Sequence, residues 1–164
     1  MKAKKIATYG ILIALAMVFS YLESLVPLSI AVPGVKLGLA NTVTIFALYR
    51  LSFKDACAIS LIRVVLVGIL FGNIFSLVFS AAGAVVSLAV MFPLSRSAKC
   101  GKVLVSVAGG VAHNAGQIIA AIFVTSTWQI AWYFPILCLT GTLAGIGVGL
   151  VSALILRQTE QIQF

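Results

Sequence analysis

The chain has 164 residues, 62% of them hydrophobic and only 9% charged, against roughly 25% charged in an ordinary soluble domain. This argues against a soluble globular fold. At about 20 apolar residues per membrane crossing, the length holds about six crossings and no extramembrane catalytic or nucleotide-binding domain. Eleven Lys and Arg against three acids give a net charge of +8, which in so apolar a chain sets topology rather than marking nucleic-acid binding, because basic residues collect in cytoplasmic loops.

The first apolar run, about residues 6–26, follows a basic Met-Lys-Ala-Lys-Lys start. It exceeds the 7–15 residues of a signal-peptide apolar region and has no clean small-residue cleavage site, so it reads as span 1. Pro27, Pro33 and Gly34 break the helical pattern and make 27–35 a loop. Span 2 covers about 37–51 and is short; span 3 covers 55–71 and ends at Gly72-Asn73. Span 4 covers 74–92 and is closed by Pro93 and Ser95-Arg96-Ser97-Ala98-Lys99, span 5 covers 103–124, and span 6 covers 130–156 before a polar tail. The expected fold is all-α: one polytopic integral membrane domain, residues 1–164, built as a six-transmembrane-helix bundle.

Loop charges test this division. Lys2, Lys4, Lys5, Arg50, Lys54, Arg96, Lys99, Lys102 and Arg157 fall on one side, and the other side has only Lys36. Both termini are therefore expected in the cytoplasm, with the chain in the cell membrane. Trp128, Trp132 and Tyr133 suit the outer interface, where amphipathic rings are favoured. Cys57, Cys100 and Cys138 show no CxxC or CxxH spacing and read as apolar fillers, not as a disulfide framework or zinc site.

The bilayer leaves a few residues unexplained. Arg63 lies near the middle of span 3, where an ionisable group costs several kcal/mol by insertion scales. It either pins neighbouring helices through their carbonyls or serves a ligand or coupling role. Glu23 and Lys36 flank one loop at similar depth, as an ion pair holding that loop or as part of a pocket. The densest polar cluster is Gly109-Gly110-Val111-Ala112-His113-Asn114-Ala115-Gly116-Gln117 in span 5. His113 and Gln117, four apart, share a helical face, with Asn114 one step round. Asn, Gln and His also act as interhelical glue, so His113, Asn114, Gln117, Asn41 and Asn73 stay open between packing and substrate binding. Gly141, Gly145, Gly147 and Gly149 in span 6, and Gly10 with Ala14 in span 1, are packing signals first. One histidine without a neighbouring carboxylate or thiolate gives no metal site. There is no catalytic pairing, no acidic cluster for magnesium diphosphate and no GxxxxGK[ST] loop, so neither a catalytic role nor a cofactor is expected.

Glu23 and the stretch Pro33-Gly34-Val35-Lys36-Leu37-Gly38-Leu39-Ala40-Asn41 resemble the Gx transporter family, as do Arg63 with Gly68 and Gly72, the segment 76–83, and Gly109 through Gln117. Some members of that family are labelled heptaprenyl diphosphate synthase component I. Size and topology are also similar to the S components of energy-coupling factor (ECF) vitamin transporters. That resemblance implies a substrate-binding component working with a membrane coupling subunit and two ATPase subunits. It implies that Gly10 and Ala14 are the counterpart of the small-xxx-small face that docks the coupling subunit, with glycine replacing the first alanine. It also implies an outward pocket made from the 27–36 loop, Lys36, Asn73 and the region around Asn114 and Gln117, to which Asn41 and His113 add hydrogen-bonding groups. Lys36 would attract an anionic group, and Arg63 would fix the bundle or line the pocket's inner end. The alternatives are a membrane accessory subunit in isoprenoid or quinone synthesis, and a stand-alone transporter that would need oligomerisation for alternating access.

Overall fold

The computed structural model describes residues 2–25 and 37–160. Among them are six α-helices: α1 (Lys2–Ser24), α2 (Asn41–Arg50), α3 (Phe53–Phe71), α4 (Ile74–Arg96), α5 (Lys102–Thr125) and α6 (Phe134–Gln158), the last led in by a 3-10 turn at Trp128–Tyr133. No strand occurs among the described residues. Helices α1, α4, α5 and α6 with its leading turn are long and apolar enough to cross a membrane. This is an all-helical membrane protein.

The other two helices differ from simple spans for physical reasons. At 1.5 Å per residue, the ten residues of α2 reach about 15 Å, half the hydrocarbon thickness. The seven consecutive residues Thr42 to Leu48 are all buried, which is the pattern of a helix surrounded by protein on every side. Helix α2 packs between α3 and α6 and also touches α1 and α4. Helix α3 has 19 residues but includes Lys54, Asp55 and Arg63.

Local signals set the helix ends. Ser52 caps α3: its hydroxyl accepts the Asp55 amide at 3.2 Å while the Asp55 carboxylate accepts the Ser52 amide at 3.2 Å, a reciprocal capping box that satisfies two otherwise unpaired donors. Asn73 caps α4 by accepting the Ser76 amide at 2.8 Å. Pro93 lies inside α4, which continues to Arg96 instead of stopping before the proline. A proline so near the C-terminus removes a single ladder bond, a loss the last turn tolerates.

Helices α4, α5 and α6 pack in sequence, and α1 leans on α3 at the edge of the bundle. Apolar attraction between helices is weak in lipid, so close backbone approach has to supply the packing. The glycines provide it. A methyl group added at Gly110 would lie 2.7 Å from the Gly141 carbonyl oxygen, one at Gly145 2.7 Å from Val107 Cα, and one at Gly149 2.8 Å from Val103 Cα. On the outer faces, Ile69, Leu139 and Leu154 are more than half exposed, as lipid contact requires.

One end of the bundle gathers the basic residues. There Lys5 Nζ of α1 lies 3.1 Å from Asp55 at the start of α3, the Tyr9 hydroxyl donates to the same carboxylate, and Phe53 stacks on Phe92 with ring centroids 4.3 Å apart. Arg50 donates to the Leu156 carbonyl at 2.8 Å, compensating the exposed carbonyls at the C-terminus of α6. The beginning of α1 and the end of α6 therefore lie at the same end.

Candidate functional site

A cavity of about 60 Å³ reaches from Glu23 and Gly38, at the opposite end, down to Met91 and Ser106, within two turns of the ends of α4 and α5 that face the basic end. Arg63, Asn41, Ser80, His113 and Asn114 contribute polar groups to its wall. Much of the remaining wall is glycine backbone, from Gly109, Gly110, Gly141 and Gly145.

Each polar group is placed by a specific local arrangement. Gly38 has φ +73°, a left-handed conformation that costs an L-residue with a Cβ about 1–2 kcal/mol. This turn lets the Gly38 amide donate to Glu23 Oε1 at 2.6 Å while its carbonyl accepts the Asn41 amide at 2.8 Å. The glycine thus ties the end of α1 to the start of α2 and sets Asn41 at the cavity. Arg63, eleven residues into α3, donates from Nη1 to Ser20 Oγ of α1 at 3.5 Å. Its Nε is buried and has no hydrogen-bond partner among the described residues.

Helix α5 supplies the next two groups. Asn114 donates from Nδ2 to the Leu137 carbonyl of α6 at 2.6 Å, so it performs the interhelical bonding its residue type suggests and also lines the cavity. His113 occupies space left by Gly83 of α4, where a methyl group would lie 2.9 Å from the imidazole Cε1 and Nε2. Deeper down, the Ser87 hydroxyl donates to the Gly109 carbonyl at 2.9 Å and ties α4 to α5.

Among the expected pocket residues, Asn41, His113 and Asn114 come together with Glu23 and Arg63 around one cavity. Asn73 lies elsewhere: it is exposed and its carboxamide oxygen is committed to capping α4. Gln117 is buried away from the cavity lining, and its Oε1 has no partner among the described residues. Lys36, its pairing with Glu23 and the 27–36 loop lie outside the described residues. Gly10 and Ala14 are exposed on the outer face of α1, and among the described residues nothing lies within 4 Å of a methyl group added at Gly10.

Sequence reasoning missed Ser80 and Ser106, two hydroxyls lining the cavity from α4 and α5. It also missed Asp55, whose only legible signal was the Ser52-x-x-Asp55 capping pattern. Among the described residues no group of three or more His, Cys, Asp or Glu could hold a metal ion. Among the described residues, the lining offers donors, acceptors and one charge of each sign, the chemistry needed to hold a polar guest.

Residues 12–155 match the profile of a family described as heptaprenyl diphosphate synthase component I. The chain belongs to that family. This is the label the Gx transporter resemblance had already pointed to. No curated protein and no solved structure matches the chain. In this member of the heptaprenyl diphosphate synthase component I family, the matched region runs from Leu12 in α1 to Ile155 in α6 and includes every cavity residue, with Gly10 just outside it.

Proposed function

We propose that this chain is the substrate-binding membrane component of an ECF-type uptake transporter for a small vitamin-like or precursor molecule, energised by partner ATPases in the cell membrane. The observation that carries this reading is the cavity itself. Ionisable groups inside a bilayer are expensive and are kept where they serve a pathway or a ligand, and Arg63 and Glu23 line one space with His113, Asn41 and Asn114. In this reading all six helices belong to the membrane body, with α2 as a half-length helix sheltered by protein, where short helices are tolerated at depth. The basic end faces the cytoplasm with both termini, and the cavity opens towards the outside. Gly10 and Ala14, exposed on an edge helix, would receive the coupling subunit, and the chain would supply binding and a rigid body that reorients.

The family's description favours a second reading, a membrane accessory subunit that holds a prenyl diphosphate synthase. In that reading the partner performs the chemistry. The polar lining argues for the first, since a prenyl chain calls for an apolar tunnel with few hydrogen-bonding groups. A tagged pull-down from gently solubilised native membranes separates them. Two ATPase subunits with a membrane coupling subunit would support the uptake reading, whereas a prenyltransferase without an ATPase would replace it with the accessory role.

A further inference from the structure

Three properties of the cavity limit what it can hold. The first is size. A free space of about 60 Å³ is well above the 10–15 Å³ that admits one water, so the cavity has room for a small polar group. The second is charge. Among the described residues, the two ionised side chains lining the space, Arg63 and Glu23, are of opposite sign. Inside a bilayer a net charge is costly, so a lining that already balances favours a guest with no net charge. The third is the direction of hydrogen bonding. A guanidinium has five N–H donors and no acceptor. Arg63 spends one on Ser20 at the long distance of 3.5 Å, and its buried Nε has no partner among the described residues. A buried donor left unpaired is costly, and a guest offering an acceptor oxygen there removes that cost.

We infer that the cavity takes an uncharged carbonyl group, an amide or imide oxygen set against the Arg63 guanidinium, as the recognised portion of the substrate. A carboxylate would supply the same oxygens but leave the site with an excess negative charge. An ammonium would face Arg63 with no acceptor. Asn114 Nδ2 is already committed to Leu137, so this side chain has its carbonyl oxygen left to accept an amide N–H, and the Ser106 hydroxyl can donate or accept. An amide, with both a C=O and an N–H, therefore matches the lining better than a ketone or ether of the same size.

This inference rests on the cavity being the substrate site, and it is tested without the partner subunits. The full chain in lipid nanodiscs would be titrated with propionamide, propionate and propylammonium, three probes of nearly equal size, by saturation-transfer NMR with empty nanodiscs subtracted. Propionamide should bind on the order of tenfold more tightly than either charged probe, a gap of about 1.4 kcal/mol. Ala144→Leu, which fills the cavity from α6, should abolish the propionamide signal, and Arg63→Gln should weaken it. Because Arg63→Gln risks misfolding, Ala144→Leu and the three-probe comparison on the unaltered chain carry the decision. Propionate binding as well as propionamide would overturn the inference, and so would the absence of any propionamide signal. Propionamide binding in a chain that recovers no ATPase from native membranes would keep the ligand class and remove the uptake reading. The reverse combination would remove only the ligand class.

Discussion

The Glu23 carboxylate of α1 accepts the backbone amide of Gly38 at 2.6 Å, across fifteen residues of sequence. One bond thereby joins the edge helix to the turn that begins the buried helix α2. Hydrogen bonds to a charged group contribute about 1.5–3 kcal/mol. Glu23→Ala should destabilise the detergent-solubilised chain by that order, read as a lower thermal midpoint, and Glu23→Gln, which keeps an acceptor oxygen, by clearly less. Gly38→Ala should cost about 1–2 kcal/mol through its left-handed backbone alone, with Gly38→Asn milder because asparagine tolerates that region. Equal midpoints for Glu23→Ala and the unaltered chain would show that the bond holds nothing in place.

The glycines of α6 form their own controlled experiment. A methyl group at Gly145 would fall 2.7 Å from Val107 Cα, whereas one at Gly147, two residues on, meets nothing within 4 Å among the described residues. Overpacking typically costs 1–3 kcal/mol, while Gly→Ala at an unobstructed helical site gains about 0.4–1 kcal/mol by restricting the unfolded chain. Gly145→Ala should therefore destabilise and Gly147→Ala should be neutral or slightly stabilising, as read by thermal unfolding of the two variants side by side. The same sign for both would mean that α5 and α6 do not meet at this seam.

Much of the helix order was legible because proline, glycine and the capping residues interrupt the apolar runs where the helices end, as at Gly72-Asn73. The alternating basic loops likewise marked one end of the bundle. What the sequence concealed is mostly three-dimensional. The run Asn41 to Arg50 reads as a short span and gives no sign that protein encloses it on every side. Asn73 and Asn114 are the same residue type in apolar surroundings, yet one caps a helix and the other bonds across helices at the cavity. Only its place just before a helix, with Ser76 three residues on, separates Asn73. Ser80 and Ser106 read as ordinary small packing residues because a hydroxyl facing a cavity leaves no trace in spacing. Asp55, next to a basic loop, reads as a solvated charge until Tyr9 and Lys5 are seen against it.

That cluster allows its two contacts to be ranked. The Lys5 side chain is 58% exposed where it meets Asp55, so this ion pair is worth roughly 0–1 kcal/mol and weakens with salt. The Tyr9 hydroxyl donates to the same, largely buried carboxylate, a class of bond worth about 1.5–3 kcal/mol. Tyr9→Phe should thus loosen α1 more than Lys5→Met. Amide hydrogen exchange in the first turns of α1 would check this, with faster exchange in the tyrosine variant at every ionic strength. Greater protection loss in Lys5→Met would reverse the ranking.

The outer face of α1 separates a docking role from a packing role. Gly10 and Ala14 are exposed and Gly10 has open space beside it, so a large side chain there disturbs no contact within the chain. Surface substitutions of that kind stay within about 0.5 kcal/mol. Helix association in membranes, however, depends on small residues that let two backbones approach, and a leucine at either position would hold a partner helix away. Gly10→Leu and Ala14→Leu should leave the thermal midpoint and propionamide binding unchanged while recovery of the proposed coupling subunit from native membranes falls by about tenfold or more, a loss of about 1.4 kcal/mol in affinity. If both variants recover that subunit as well as the unaltered chain does, the partner docks elsewhere. If they unfold, Gly10 and Ala14 face a contact within the chain.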